Sequence, residues 1–130
     1  MAAFSDYVED QITGWINGTT FAAAPTNTYV QLFNGSPTDT GTGGTALLTR
    51  VAVAAGGWTR GTGGAGTLTN TAVITITSSA GSAVTADNFA VFDASTGGNL
   101  LFYGALSASK SIAIGDEVKF NASQLTLTVA

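Results

Sequence analysis

The sequence predicts an all-β protein: an antiparallel β-sandwich of jelly-roll-like type with a short N-terminal amphipathic helix. Three observations predict it. Helical spacing of apolar residues is confined to residues 1–20. After Phe21, short β-like runs alternate with clusters of Gly, Thr, Ser and Asn, the rhythm of a sandwich and not of βαβ units. In the clearest runs, apolar residues recur at every second position with Thr between them. That period gives a strand one dry face and one wet face.

The helix comes first. Phe4, Val8, Ile12, Trp15 and Ile16 recur at helical spacing, while Asp6, Glu9, Asp10 and Asn17 fall elsewhere. Ser5 is the expected N-cap, and Asp6 and Glu9 sit near the positive end of the helix dipole. Asn17-Gly18 is the expected stop, because Gly adopts the left-handed conformation that often ends helices. Gly14 costs about 1 kcal/mol relative to Ala, so this helix needs a surface, either its own sheet or a neighbouring subunit. Residues 1–20 thus read as a helical arm and residues 21–130 as the sandwich.

The expected strands are Tyr29–Phe33, Leu47–Ala54, Leu68–Thr77, Phe89–Asp93, Leu100–Leu106, Ser111–Ile114, Glu117–Phe120 and Leu125–Val129. Ala72, Ile74 and Ile76 share one face opposite Thr75 and Thr77, and Leu125, Leu127 and Val129 alternate with Thr126 and Thr128. Thr is β-branched and polar, so it suits an outer face without adding charge. Asn34–Pro37 and Ser79–Ser82 are turns. Thr38–Thr45 and Gly61–Gly66 are expected to be mobile or partner-ordered loops, and Asp93–Asn99 a hairpin connection.

Composition narrows the function. At 130 residues the chain suits one core. Charged residues make up 9%, against about 25% in typical domains, leaving Thr, Ser, Asn and Gly to keep the surface wet. A net charge of −4 with four scattered cations (Arg50, Arg60, Lys110, Lys119) gives no electrostatic driver for nucleic acid or an anionic membrane. No apolar window approaches the about 18 residues of a membrane span, and the acidic start MAAFSDYVED does not resemble a signal peptide. Without Cys or His the chain has no disulfide, thiolate, Ser-His-Asp relay or common zinc site. The expectation is a non-enzyme with no cofactor, metal or small-molecule substrate.

Individual motifs favour plain readings. Gly61–Gly66 lacks a Gly-Lys-Ser/Thr ending and a following helix, so it reads as a loop and not a phosphate cradle. Asp87, Asp93 and Asn99 offer too few oxygens for calcium, and Asp93 with Asn99 is expected to close its own loop. Asp116 and Glu117 are adjacent, so on a strand they point to opposite faces and cannot flank a glycosidic bond. Trp15, Trp58, Tyr29 and Tyr103 read as packing or interface residues before a sugar platform.

Taken in order, several segments resemble a family of small tailed-bacteriophage virion proteins. They are Phe4–Glu9, Tyr29–Phe33, Arg50–Val53, Asn70–Val73, Phe92–Leu106, Gly115–Phe120 and Leu125–Thr128, with Phe92–Leu106 the most specific. The chain departs from the family pattern at Ile74–Ser79, where related chains tend to place a Phe-Pro pair after the strand. Members usually carry a tail-fibre-like label, and they also look like short β-sandwich cement proteins of phage capsids. The resemblance implies a virion structural role.

The main expectation is a capsid cement, or decoration, protein on the outer capsid surface. Its partners would be the major capsid protein and copies of itself in a homo-oligomer, with the helix and Gly-rich loops making the contacts. Low charge suits such a surface, since few ions need desolvating, and added interface stabilises the bound shell. The alternatives are a tail-fibre or baseplate-associated structural or receptor-binding component, or a carbohydrate-binding module. Phe4, Val8, Ile12, Trp15, Ile16 and Trp58 are the candidate interface residues.

Overall fold

In the computed structural model, which describes residues 2–129, the elements in chain order are β1 (Ala3–Phe4), α1 (Asp6–Ile16), β2 (Asn27–Asn34), β3 (Thr45–Ala54), β4 (Trp58–Arg60), β5 (Thr67–Asn70), β6 (Ile74–Thr77), β7 (Val84–Phe92), β8 (Leu100–Ile112), β9 (Glu117–Phe120) and β10 (Thr126–Thr128). A five-stranded sheet has the order β1-β8-β7-β2-β3; β10-β5-β4 form a second sheet, and β6 pairs with β9. The strand pairs within these sheets are antiparallel. Side chains from all three sheets meet in one core, with Val30, Leu32, Phe89, Val91 and Phe102 from the large sheet, Leu127 from β10, and Ile74, Ile76, Val118 and Phe120 from the β6–β9 pair. This is the antiparallel β-sandwich the sequence predicts.

The central strands are buried on both faces. Phe33, Ala90, Phe92 and Leu100 form a second apolar cluster on the reverse of the large sheet, with Tyr103 packed against it. Covering both faces explains why Tyr29–Phe33 and Phe89–Phe92 read as nearly continuous apolar runs.

The boundaries differ from expectation at definite places. The run Leu68–Thr77 is not one strand: β5 and β6 lie in different sheets, and Val73 between them is 52% exposed. The chain turns there because Asn70 takes over bonds that a partner strand would make. Its Nδ2 donates to the carbonyls of Ala72, Phe120 and Asn121 at 2.9, 3.3 and 2.9 Å, and its Oδ1 accepts from the Leu125 amide at 3.0 Å. Conversely, Leu100–Leu106 and Ser111–Ile114 merge into β8, which pairs with β7 on both sides of a register shift opposite Ala86–Asn88. Polar residues there hide the continuity. β4 and β1 carry too few residues to show a period. β1 pairs Ala3 with Tyr103 and Phe4 with Phe102, and Ala2 bridges Leu127 in parallel, so the start of the chain stitches two sheets together. Phe4 therefore belongs to a strand and not to the helix. Val129, expected on the dry face, is exposed, and its amide donates to the Gly66 carbonyl at 2.7 Å.

The stretch Thr38–Thr45, expected to be mobile or partner-ordered, is held by the protein itself. Pro37 is buried, the Gly43 amide donates to the Pro37 carbonyl at 2.8 Å, and the hydroxyls of Thr38, Thr40 and Thr42 form a chain. A Cβ on Gly44 would stand 2.6 Å from the Gly35 carbonyl oxygen, so glycine there serves close backbone approach.

Candidate functional site

The N-terminal arm is rooted firmly and exposed at its far end. Buried Ser5 caps α1: its Oγ accepts from the Val8 amide at 3.3 Å and donates to the Leu100 carbonyl. The Ser5 amide donates to the Leu101 carbonyl and the Asp6 amide to the Asp39 carbonyl, both at 3.1 Å. The first turn is thus fixed to β8 and to the loop before β3. As predicted, the helix stops at Asn17-Gly18, with Asn17 as C-cap and Gly18 at φ +90°.

No residue of α1 is buried. Tyr7, Val8, Gln11 and Ile12 are half-buried, whereas Trp15 is 64% and Ile16 74% exposed. The chain then returns through Thr19–Thr26, pinned where the Ala22 amide donates to Gln11 Oε1 at 2.9 Å. Phe21, 45% exposed, shares the rim of a shallow cleft of about 420 Å³ with Trp15. A second cleft, about 380 Å³, lies under the helix between Tyr7, Val8, Phe21, Ala22–Pro25, Asp93 and Leu101. Trp15 and Phe21 therefore share an apolar patch at the tip of the arm, with the exposed Ile16 next to Trp15 on the helix.

Of the six candidate interface residues, Trp15 stands at this patch with Ile16 beside it, and Val8 and Ile12 lie behind them. The structure does not bring Phe4 and Trp58 to it. Both pack against the core: Trp58 meets Phe102 edge-to-face at 5.5 Å and its indole N–H donates to Thr28 Oγ1 at 2.8 Å. A partner for the indole N–H and partial burial of the ring give Trp58 a packing role. Phe21 was missed because it lies beyond the helical period, in a Thr- and Ala-rich segment where one aromatic residue is the only signal.

The remaining polar candidates bond locally. Asp93 closes its loop as expected, its two carboxylate oxygens accepting from the Asn99 amide at 2.7 Å and from Asn99 Nδ2 at 2.9 Å. Asp87 is held elsewhere, accepting from the Gly35 amide at 2.7 Å and from Asn88 Nδ2 at 2.8 Å. Asp116 accepts from the Ala113 amide in the turn that precedes β9. Among the described residues, no group of three or more Asp, Glu, His or Cys is placed to hold a metal, and no helix is long and apolar enough to cross a membrane.

The family of the podophage GP4 fiber I protein gp80 matches residues 3–128. The chain belongs to this family. It is a bacteriophage structural protein of fibre type, which fits the tail-fibre alternative of the sequence reading better than capsid cement. No curated protein matches it.

In this fibre-family protein the root of the arm has a pH-sensitive bond. The Tyr103 hydroxyl donates to Asp39 Oδ1. Its pKa is pushed up to about 12, first by that hydrogen bond, then by burial and by the negative charges of Asp39, Asp6 and Glu9. An unfolded tyrosine ionises near about 10, so the folded state favours the neutral phenol. The stabilisation is complete below about pH 10 and is lost as pH rises toward about 12. Tyrosinate absorbance should show a late ionisation step that belongs to Tyr103. Tyr103→Phe should remove that late step together with the alkaline loss of stability; a late step that survives the substitution would disprove the assignment.

Proposed function

We propose that the protein is a fibre-associated structural component of a podophage tail, joined to its neighbours through the N-terminal arm. It acts by contributing contact area. The observation that carries this reading is the patch of Trp15 and Phe21 with the neighbouring Ile16, exposed at the tip of a helix whose root is fixed to the sandwich. Isolated helices shorter than about 12–15 residues are marginal in water, and this one of 11 residues buries none of them fully. Its apolar side therefore needs a partner. Fully burying a large apolar side chain contributes about 1.5–3 kcal/mol, so three of them supply a substantial anchor even when buried in part.

Two measurements on purified particles test the reading. Quantitative mass spectrometry with immunogold labelling should find tens of copies or fewer, at the tail. Hundreds of copies spread over the head would instead establish the capsid cement role. The triple variant Trp15→Ser, Ile16→Ser, Phe21→Ser should keep its folding stability within about 0.5 kcal/mol, since these side chains are exposed. Its incorporation into particles should fall at least about tenfold, the effect of losing roughly 1.4 kcal/mol or more of contact. Unchanged incorporation would rule out the arm as the attachment surface.

A further inference from the structure

We infer that Asn17-Gly18, at the tip of the arm, is a site of spontaneous modification, where Asn17 loses its side-chain amide and becomes an aspartyl or isoaspartyl residue. The inference goes beyond the attachment reading and does not depend on it. In an Asn-Gly pair no Cβ shields the glycine nitrogen, and once its proton has passed to solvent base it attacks the asparagine Cγ. The bond from that nitrogen to Cγ forms, the bond from Cγ to Nδ2 breaks, and ammonia leaves. Water then opens the five-membered imide at either carbonyl, so the net change is water in and ammonia out. The sequence holds two such pairs, Asn17-Gly18 and Asn34-Gly35, and both asparagines are exposed. Hydrogen bonding separates them.

Asn34 is held from both sides. It ends β2 opposite Thr45 of β3, and its Nδ2 donates to the Thr85 carbonyl of β7 at 2.9 Å. The attacking nitrogen is held as well, since the Gly35 amide donates to Asp87 Oδ1 at 2.7 Å. A carboxylate that close opposes loss of the amide proton, the first step of the reaction. Asn17 carries neither restraint. Among the described residues it bonds through its backbone alone, its amide donating to the Thr13 carbonyl at 3.1 Å. The Gly18 amide donates to a neutral acceptor, the Trp15 carbonyl at 3.1 Å, and the Thr19 amide to the Gly14 carbonyl at 2.9 Å. These bonds close the last turn of an 11-residue helix with no buried residue. They open by local fraying, whereas freeing Asn34 means parting β2 from β3 and β7. The product then loosens the arm. A carboxylate at position 17 stands at the negative end of the helix dipole, where no basic residue offsets it.

Peptide mapping by mass spectrometry of the purified full chain, aged at mildly alkaline pH, reads both sites, because each conversion adds one mass unit. Asn17 should convert at least about tenfold faster than Asn34, a difference of roughly 1.4 kcal/mol in barrier, and faster still as pH rises. In urea strong enough to unfold the chain, the two sites should react alike. Equal rates in the folded protein, a faster Asn34, a folded Asn17 that stays intact, or a difference that persists in urea overturns the inference. Asn17→Asp should quicken amide exchange at Gly18 and Thr19 about twofold to fivefold, with exchange in β2 and β7 unchanged. Exchange at Gly18 and Thr19 as slow as in the parent chain would overturn the loosening of the arm.

Discussion

Asn70→Ala is expected to destabilise the protein by about 3–5 kcal/mol, read as a shift in the urea midpoint at unchanged slope. Asn70 is only 1% exposed, yet its side chain bonds to four backbone groups. Two amide hydrogens serve three carbonyls, those of Ala72, Phe120 and Asn121, so one of them is shared. These bonds tie β5 to the end of β9 and to the turn that leads into β10, at the corner where the small sheets meet. Alanine would leave the Leu125 amide and the Phe120 carbonyl without their side-chain partner in a place water reaches poorly, and an unpaired buried group costs about 1–3 kcal/mol. Asn70→Asp separates shape from chemistry. It keeps the acceptor for Leu125 but turns an oxygen toward the three carbonyls, so it should be at least as damaging at neutral pH and should recover partly when acid protonates it. A loss below about 1 kcal/mol for Asn70→Ala would show that water or backbone movement replaces the side chain.

The same corner shows what the sequence could not convey. Helix limits were legible because capping is local chemistry: Ser5, Asn17 and Gly18 act within a turn of their own positions. Central strands were legible because two-sided burial leaves a dense apolar signature. Alternation from Leu68 to Thr77 does not distinguish a strand that continues from one that turns a corner, since the deciding bonds join Asn70 to residues some fifty positions away. β1 escaped notice for a related reason, because Ala3 and Phe4 become a strand only when β8 is beside them.

At the arm, helical spacing picked out Trp15 and Ile16, but spacing alone does not say whether an apolar stripe covers its own sheet or projects past it. Phe4 and Trp58 carry the same kind of side chain as Trp15 and lie against the core. Small size and low charge suit a shell protein and a fibre protein equally; the resemblance of its segments to a phage family led to the virion, and family membership led to the fibre type.

Arg50→Ala is expected to cost about 2–4 kcal/mol and to loosen the connection between β7 and β8. Gln31 is the polar residue inside the apolar run Tyr29–Phe33 of β2, and Arg50 explains it. The Arg50 Nε donates to Gln31 Oε1 at 2.9 Å, and Nη1 donates to the carbonyls of Ala94 and Gly97 at 2.6 and 2.9 Å. The guanidinium also lies over the Phe92 ring, 3.6 Å from its centroid. One planar group therefore joins β3, β2, the end of β7 and the loop that follows. The bulge in β3 aims it there: pairing with β2 shifts register between Val30 and Leu32, Leu48 takes a φ of +62°, and Gln31 Nε2 donates to the Leu48 carbonyl at 3.2 Å. Partial burial lowers the Arg50 pKa and Asp93 opposes that shift, so the group stays cationic at neutral pH. Hydrogen bonds from a charged donor contribute about 1.5–3 kcal/mol and the ring contact about 0.5–2 kcal/mol, with the lower ends applying where water can substitute.

Arg50→Lys should recover less than half of this loss, because an ammonium cannot hold the Gln31 oxygen and both loop carbonyls from one plane. Amide exchange at Asp93, whose N–H donates to the Asn99 carbonyl at 3.1 Å, should quicken in both variants. The double variant Gln31→Leu, Arg50→Met replaces the polar pair with apolar volume and should regain much of the global stability. It should not slow exchange at Asp93 again, since nothing then grips Ala94 and Gly97. Recovery of both together would mean that Arg50 acts by filling space and not by holding the loop.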